Sequence, residues 1–274
     1  MKQKLCLLLV SFISLIVLSS HDMFLKFKTH FLQPGTETSV YLYNGTFDKS
    51  ENVIDRDRMR DVSLINPGEK IVHPANNHWS EESNQTVLKF KTGKEGTGVV
   101  GLSTKSKVLE LSAADFEEYL KHDGILDVYE ARKQSGENTK PAKEKYSKHV
   151  KAIFQTGDKK SDDYKTSLGY PIEFIPQANP YSSKTGDELS FQLLKNGKPL
   201  ANELVYASYA GHHGHAEDGS HVEAVKTRSD KNGMIKIKLS HAGHWYLRTI
   251  HMVKSSEQGV DYESNWATIT FEIK

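Results

Sequence analysis

The apolar positions of this chain change their period twice. From 24 to 110 they come in short runs rich in β-branched and aromatic residues, among them "SVYLYNGTF" and "TVLKFKT". Turn formers separate these runs in "QPGT", "NPGE" and "GKEGTG". Such spacing predicts an antiparallel sandwich rather than alternating strands and helices. At Ser112 the pattern becomes helical. "SAADFEEYLKHDGI" offers Ser112 as N-cap with Asp115 three residues on, close to a capping box. Phe116, Tyr119 and Leu120 then fall on one helical face, and Gly124 is a stop signal. "VYEARKQSGEN" predicts a second helix. "PAKEKYSKHVKAIF" predicts a third, with Tyr146, Val150 and Ile153 or Phe154 on one face.

After the polar loop "TGDKKSDDYKTSL" the strand pattern returns at 169. "KNGK" between alternating runs is a hairpin signal, and "MIKIKL", "HWYLRTIHMV" and "SNWATITFEIK" read as further strands. The expected fold class is therefore mainly β. Two β-sandwich, immunoglobulin-like domains, at 21–111 and 169–274, are joined by a helical connector and polar loop at 112–168.

The first residues, "MKQKLCLLLVSFISLIVLSSHD", place two lysines before an apolar run from Leu5 to Leu18 and small residues after it. This is the pattern of a secretory signal peptide over 1–20. The run is short of the ~20 apolar residues of a membrane span, although an N-terminal anchor helix is the alternative. Cleavage after Ser20 would expose His21 and export the chain to the periplasm or envelope, with no membrane span in the mature protein. It would also remove Cys6, the only cysteine. The mature chain then has no disulfide, thiolate metal site or cysteine nucleophile, and histidine and carboxylate remain as ligands. The formal net charge is +1 and runs such as "DRDRMRD" mix both signs, which gives no basic excess for nucleic acid.

The histidines carry the chemistry. Seven of the 13 (His212, His213, His215, His221, His241, His244 and His251) fall between 212 and 251. "ELVYASYAG" and "HVEAVKTRS" can pair as a hairpin with "GHHGHAEDGSH" at its tip. In extended backbone His213 and His215 share a face, with His221 returning on the partner strand. Glu217 and Asp218 can add oxygen ligands or orient an imidazole. A solvated, histidine-rich hairpin tip is the plain alternative. His241 and His244 flank Gly243 at one end of the sandwich. His251 shares a strand face with Trp245 and Leu247, where a half-buried, hydrogen-bonded histidine is expected. Arg248, on the other face, is expected to pair with Asp261 or Glu263. His21, once freed, offers an α-amine and an imidazole to one metal ion, an arrangement suited to copper(II). "HPANNHW" (His73, His78) reads as loop without a metal role.

The blocks "HDMFLKF", "FEEYLKHDGI", "EKYSKHVKAIF", "LGYPIEFIPQANPY", "GDELSFQLLKNGKPLANELVYA", "TRSDKNGMIKIKLSHAGHWYLRTIHM" and "DYESNWATITFEI" together resemble the bacterial envelope proteins of domain-of-unknown-function family 4198. That family is commonly labelled a periplasmic component of nickel or cobalt uptake. The resemblance implies a role for His21, Asp22 and His251, which match positions its pattern shows, and leaves the "GHHGHAEDGSH" loop as a local elaboration. The expected function is an exported protein that binds a divalent transition metal (nickel, cobalt, copper or zinc) and serves a membrane metal transporter. The alternative is a non-catalytic envelope module with Tyr181, Tyr206, Tyr209 and Trp266 as contact candidates, core packing being the favoured reading of each. No nucleophile elbow, HExxH or phosphate loop points to an enzyme.

Overall fold

The computed structural model describes residues 22–212, 214–215 and 221–274, with 214–215 and 221–222 given by their backbone alone. The signal-peptide segment, Cys6, His21, His213, Glu217 and Asp218 lie outside the described residues. The first part comprises β1 (Asp22–Lys26), β2 (Phe31–Leu32), β3 (Glu37–Gly45), β4 (Met59–Ile65), β5 (Trp79–Glu82), β6 (Gln85–Lys91), β7 (Gly96–Thr104) and β8 (Lys107–Leu111). Helices α1 (Ala113–His122) and α2 (Leu126–Ser135) follow, then β9 (Ala142–Thr156). The last part holds β10 (Ile172–Pro176), β11 (Glu188–Lys195), β12 (Lys198–Pro199), β13 (Leu204–Tyr209), β14 (Gly214–His215), β15 (His221–Val222), β16 (Val225–Arg228), β17 (Met234–Lys238), β18 (Gly243–Lys254) and β19 (Tyr262–Ile273). Among the described residues no helix is long and apolar enough to cross a membrane.

The expected mainly-β class and several predicted elements hold. Ser112 caps α1 by accepting from the Asp115 backbone N–H, and Phe116, Tyr119 and Leu120 form its buried face. Asn196 and Gly197 both have positive φ, as a two-residue hairpin turn between β11 and β12 requires. The third predicted helix is a correction: its residues form β9, a 15-residue strand. From His149 to Thr156 β9 is buried on both faces, so no period-2 alternation shows and the Tyr146–Val150–Ile153 spacing imitates a helix.

β9 is the hinge of the architecture. It pairs antiparallel with β7 and parallel with β19, so strands from both halves of the chain share one nine-stranded sheet of order β16-β13-β18-β19-β9-β7-β4, with β2 and β8 also paired to β9. Successive side chains point to opposite faces. On one face Ile153, Trp245, Leu247, Ile269 and Phe271 pack against the small sheet of β10, β11, β12 and β17. On the other face Val150, Ala152 and Phe154 meet the sheet β1-β3-β6-β5 through Met23, Leu25, Val40 and Leu42. Further along that second face Ile250, Met252, Tyr262 and Trp266 are covered by α1 through Phe116, Tyr119 and Leu120. Between the β1 cover and the helical cover the sheet carries charged groups instead of apolar ones, and that gap holds the candidate site.

On the opposite face the ion pair Lys151–Glu173 ties β9 to β10. Its N–O distance is 3.1 Å, and the two side chains are 2% and 1% exposed.

Candidate functional site

β1 is fixed to the sheet by hydroxyl donors. Thr268 Oγ1 donates to the carbonyl of Met23 at 2.8 Å, and Thr270 Oγ1 donates to that of Leu25. This holds Asp22, the first described residue, over Arg248 on β18. Arg248 Nε lies 3.6 Å from Asp22 Oδ2 and donates to Glu223 Oε1 at 2.6 Å. Its Nη1 donates to the Asp123 carbonyl at 2.9 Å, and its guanidinium lies 4.6 Å from the centroid of the Tyr206 ring. Burial opposes the Arg248 charge, but the Asp22 and Glu223 carboxylates outweigh it and hold the guanidinium above its ordinary range. Burial raises the Asp22 carboxyl, against the pull of Arg248. At the rim the Asp123 Oδ1 lies 2.9 Å from His122 Nδ1, and this hydrogen bond raises the imidazole.

Two further groups from β9 complete the floor. Lys148 lies 4.3 Å from the Trp266 ring centroid, and burial brings its ammonium down to about 8. Glu144, 1% exposed, accepts from Tyr119 Oη at 3.0 Å and from Ser264 Oγ, yet its Oε2 has no partner. Burial pushes the Glu144 carboxyl up to about 7. Among the described residues the chamber thus gathers four carboxyl groups (Asp22, Asp123, Glu144 and Glu223) around the Arg248 guanidinium and the weakened Lys148 ammonium, with the Arg58 charge also acting on Lys148.

The Glu144 value has a direct consequence for stability. Between its ordinary 4.5 and about 7 the folded chain keeps a proton that the unfolded chain has released. Stability contributed by this group is therefore complete below that window and declines as pH rises through it. Glu144→Gln should remove this part of the slope, so urea unfolding at pH 5 and pH 8 should differ less in the variant than in the parent.

The histidines that cluster in sequence separate in space. His215 pairs with His221 across the two-residue hairpin β14–β15, which extends from the paired strands β13 and β16 as the sequence predicts. His212 and His241 converge on one phenol: His212 Nδ1 and His241 Nε2 each lie 3.4 Å from Tyr209 Oη, and the His241 ring stacks on Tyr209 at 4.0 Å. His244 turns away, with Nε2 3.4 Å from Glu272 Oε2 and its ring 5.2 Å from that of buried His30. His251 is half-buried and hydrogen-bonded as expected, its Nδ1 2.6 Å from Glu203 Oε2 in a separate cleft. His73 Nδ1 lies 2.8 Å from Asp61 Oδ1 beside a shallow pocket that includes Tyr170. Among the described residues no three His, Cys, Asp or Glu side chains are placed to hold a metal ion.

One sequence reading is corrected: Arg248 pairs with Asp22 and Glu223, not with Asp261 or Glu263, because Asp261 caps the backbone N–H of Lys143. Tyr181, Tyr206 and Trp266 are 9%, 7% and 3% exposed and pack internally, in line with core packing as the favoured reading of these aromatics. The sequence reading missed Asp123, Glu144, Lys148 and Glu223.

The family described as "Domain of unknown function (DUF4198)" matches residues 18–253. No curated protein matches. Similar solved structures include the D0-D1 domain of Intimin, 11% identical over 92% of this chain and 97% of that chain, with a TM-score of 0.20. An ICAM-5 D1–D4 ectodomain fragment is 8% identical over 92% of this chain and 51% of its own, with a TM-score of 0.22. A DUF4785 family protein from Legionella pneumophila subsp. pneumophila is 9% identical over 81% of this chain and 50% of its own, with a TM-score of 0.24. Scores this low leave these likenesses without weight for the site.

Proposed function

The chain belongs to the DUF4198 family, and on that premise we propose that it is an exported protein that binds a divalent transition-metal ion as cargo, with the primary site at His21. Removal of 1–20 frees an α-amine and an imidazole on one residue, and a metal takes both once the amine gives up its proton. His21 directly precedes Asp22 in the chain, and the Asp22 carboxylate lies 3.6 Å from Arg248 in the acid-rich chamber. One observation carries this reading: the chamber has more carboxyl groups than strong cations, including a buried Glu144 oxygen without a partner. Such a surplus favours an added positive charge. Glu144, held near neutrality, is suited to take the proton that the amine releases.

In this reading the loop histidines, His212 and His241 at Tyr209 among them, are an accessory collecting surface. His244 and His251 serve their own carboxylate partners. The scaffold is read as two immunoglobulin-like sandwiches that share a sheet, and the partner as a membrane transporter of nickel, cobalt, copper or zinc.

The test is calorimetric titration of a chain that starts at His21 with Ni(II), Co(II), Cu(II) and Zn(II). A variant with His212, His213, His215 and His221 changed to alanine is titrated alongside. Tight one-to-one binding that survives in the variant supports the primary site at His21. Loss of binding in the variant moves the site to the loop, and no binding of any of the four ions overturns the metal reading.

A further inference from the structure

The shallow pocket beside His73 has a volume of about 260 Å³ and lies on the face of the large sheet away from the Asp22 chamber. Val62 and Leu64 of β4 pack with Met23 and Leu25 on the chamber side, so alternation turns Asp61 and Ser63 to the other face. Regular alternation would send Arg60 with Val62. Instead the β4–β7 ladder skips it: Met59 pairs with Thr104 and Asp61 with Ser103, which leaves Arg60 as the extra residue of a bulge. A bulge re-aims a side chain, and here Arg60 lines the pocket together with Asp61. The facing wall comes from Tyr170 and from Asn196 at the β11–β12 turn. Asn196 is fixed there by its φ of +49° and by its backbone N–H, which donates to the Pro171 carbonyl at 2.9 Å.

The acid of this pocket is already served. Asp61 Oδ1 lies 2.8 Å from His73 Nδ1, and Oδ2 accepts from Ser63 Oγ at 2.6 Å and from Tyr170 Oη at 3.0 Å. Ser103 is engaged as well, with its Oγ 2.9 Å from His149 Nδ1. The donors left over are the exposed Arg60 guanidinium and the Asn196 amide, neither of which has a hydrogen-bond or ion-pair partner among the described residues. The field at the pocket floor is positive. Burial brings the His149 imidazole down to about 4, against its hydrogen bond with Asn265, and the Lys195 and Arg60 charges push it the same way. A cation is therefore disfavoured, and no three ligating side chains come together among the described residues for a metal ion. A dianion is disfavoured by the Asp61 carboxylate in the same wall. A monocarboxylate suits what remains: its two oxygens match the planar guanidinium fork, and a short alkyl part can lie against Leu168 and Pro171.

We propose that this pocket binds a monocarboxylate, with the Arg60 guanidinium as its bidentate donor and the Asn196 side-chain amide as the second donor. The carboxylate is that of a free short-chain acid or the C-terminus of a peptide. The site is independent of the metal reading, because it lies on the other face of the sheet and shares no residue with the chamber around Asp22.

The experiment is an amide NMR titration of the chain starting at His21 with sodium propionate at constant ionic strength. Uncharged propionamide, inorganic phosphate and N-acetyl-alanyl-alanine are run in parallel. The proposal expects saturable shifts at Arg60, Asp61, His73 and Asn196 with propionate, none with propionamide, and weaker binding of phosphate. It also expects about tenfold weaker propionate binding in Arg60→Lys, which keeps the charge and loses the fork, and no saturable binding in Arg60→Gln. Binding of the dipeptide more tightly than propionate assigns the site to a peptide C-terminus, and equal or weaker binding assigns it to a free acid. Equal shifts with propionamide, phosphate binding as tight as propionate, shifts elsewhere in the molecule, undiminished binding in Arg60→Gln, or no saturable binding of either carboxylate would overturn the proposal. The propionamide and phosphate comparisons are made on the parent chain, so the result does not depend on the variants folding.

Discussion

Replacing Arg248 by methionine should cost the fold about 3–5 kcal/mol, because it strips the counter-charge from buried carboxylates and leaves them uncompensated. Arg248 is 7% exposed and is shared by Asp22, Glu223 and the Asp123 carbonyl. No other described cation takes its place between these groups, and Lys148 lies over Trp266. For a chain of this size the loss corresponds to a drop of roughly 10 °C in melting temperature. The deficit should also depend on pH. Without the guanidinium the Asp22 carboxyl, already raised by burial, rises further above its unfolded value, so the penalty is full at neutral pH and shrinks as acid protonates it. Thermal melts of parent and variant from pH 5 to pH 8 read both effects. A variant as stable as the parent at pH 8 would mean that the chamber is solvated and its charges do not depend on Arg248.

Lys151→Met should be destabilising on a similar scale, for the same reason in a simpler setting. Lys151 Nζ donates to Glu173 and also to the carbonyls of Thr166 and Phe174. Glu173 accepts in addition from Ser167 Oγ and from the backbone N–H groups of Leu168 and Gly169. Methionine would leave a buried carboxylate and two carbonyls without the ammonium, at a cost of about 3–5 kcal/mol. The double variant Lys151→Met, Glu173→Leu should recover part of this loss, because removing both charges avoids an uncompensated one. Recovery stays partial, since the three donors that served Glu173 lose their acceptor. Urea unfolding of the two single variants and the double variant gives the coupling directly. Additive losses would show that the two groups act separately and that the pair does not join β9 to β10.

Local signals in the sequence were legible where the chain solves its own geometry. Ser112 with Asp115, the face Phe116–Tyr119–Leu120, and the Asn196–Gly197 turn depend on neighbours within a few residues, and each forms as its pattern predicts. β9 was not legible, because its burial on both faces comes from elements far along the chain: the sheet of β10, β11, β12 and β17 on one face and the sheet β1-β3-β6-β5 on the other. The histidine count misled in a related way. Residues close in sequence near a turn diverge when they sit on opposite faces, so His241 stacks on Tyr209 while His244 turns to Glu272.

The charged chamber carried one usable signal. Strand alternation puts Arg248 on the same face as Tyr246 and Ile250, and an arginine on an apolar face needs buried acids. Which acids these are is set by the assembly, since Asp22, Asp123 and Glu223 come from β1, the end of α1 and the return from the histidine hairpin. No spacing rule links such positions.

The central claim is that His21, the residue before Asp22, supplies the primary metal ligands through its imidazole and a free α-amine. The most direct measurement is the Cu(II) affinity of a chain that begins at His21, compared with the same chain acetylated at that residue. The acetyl group converts the amine into an amide and leaves every side chain in place. The account predicts that acetylation weakens binding about a hundredfold or more, the loss of one of two chelating nitrogens. Equal affinity in the two chains would contradict it and place the metal among the side chains alone.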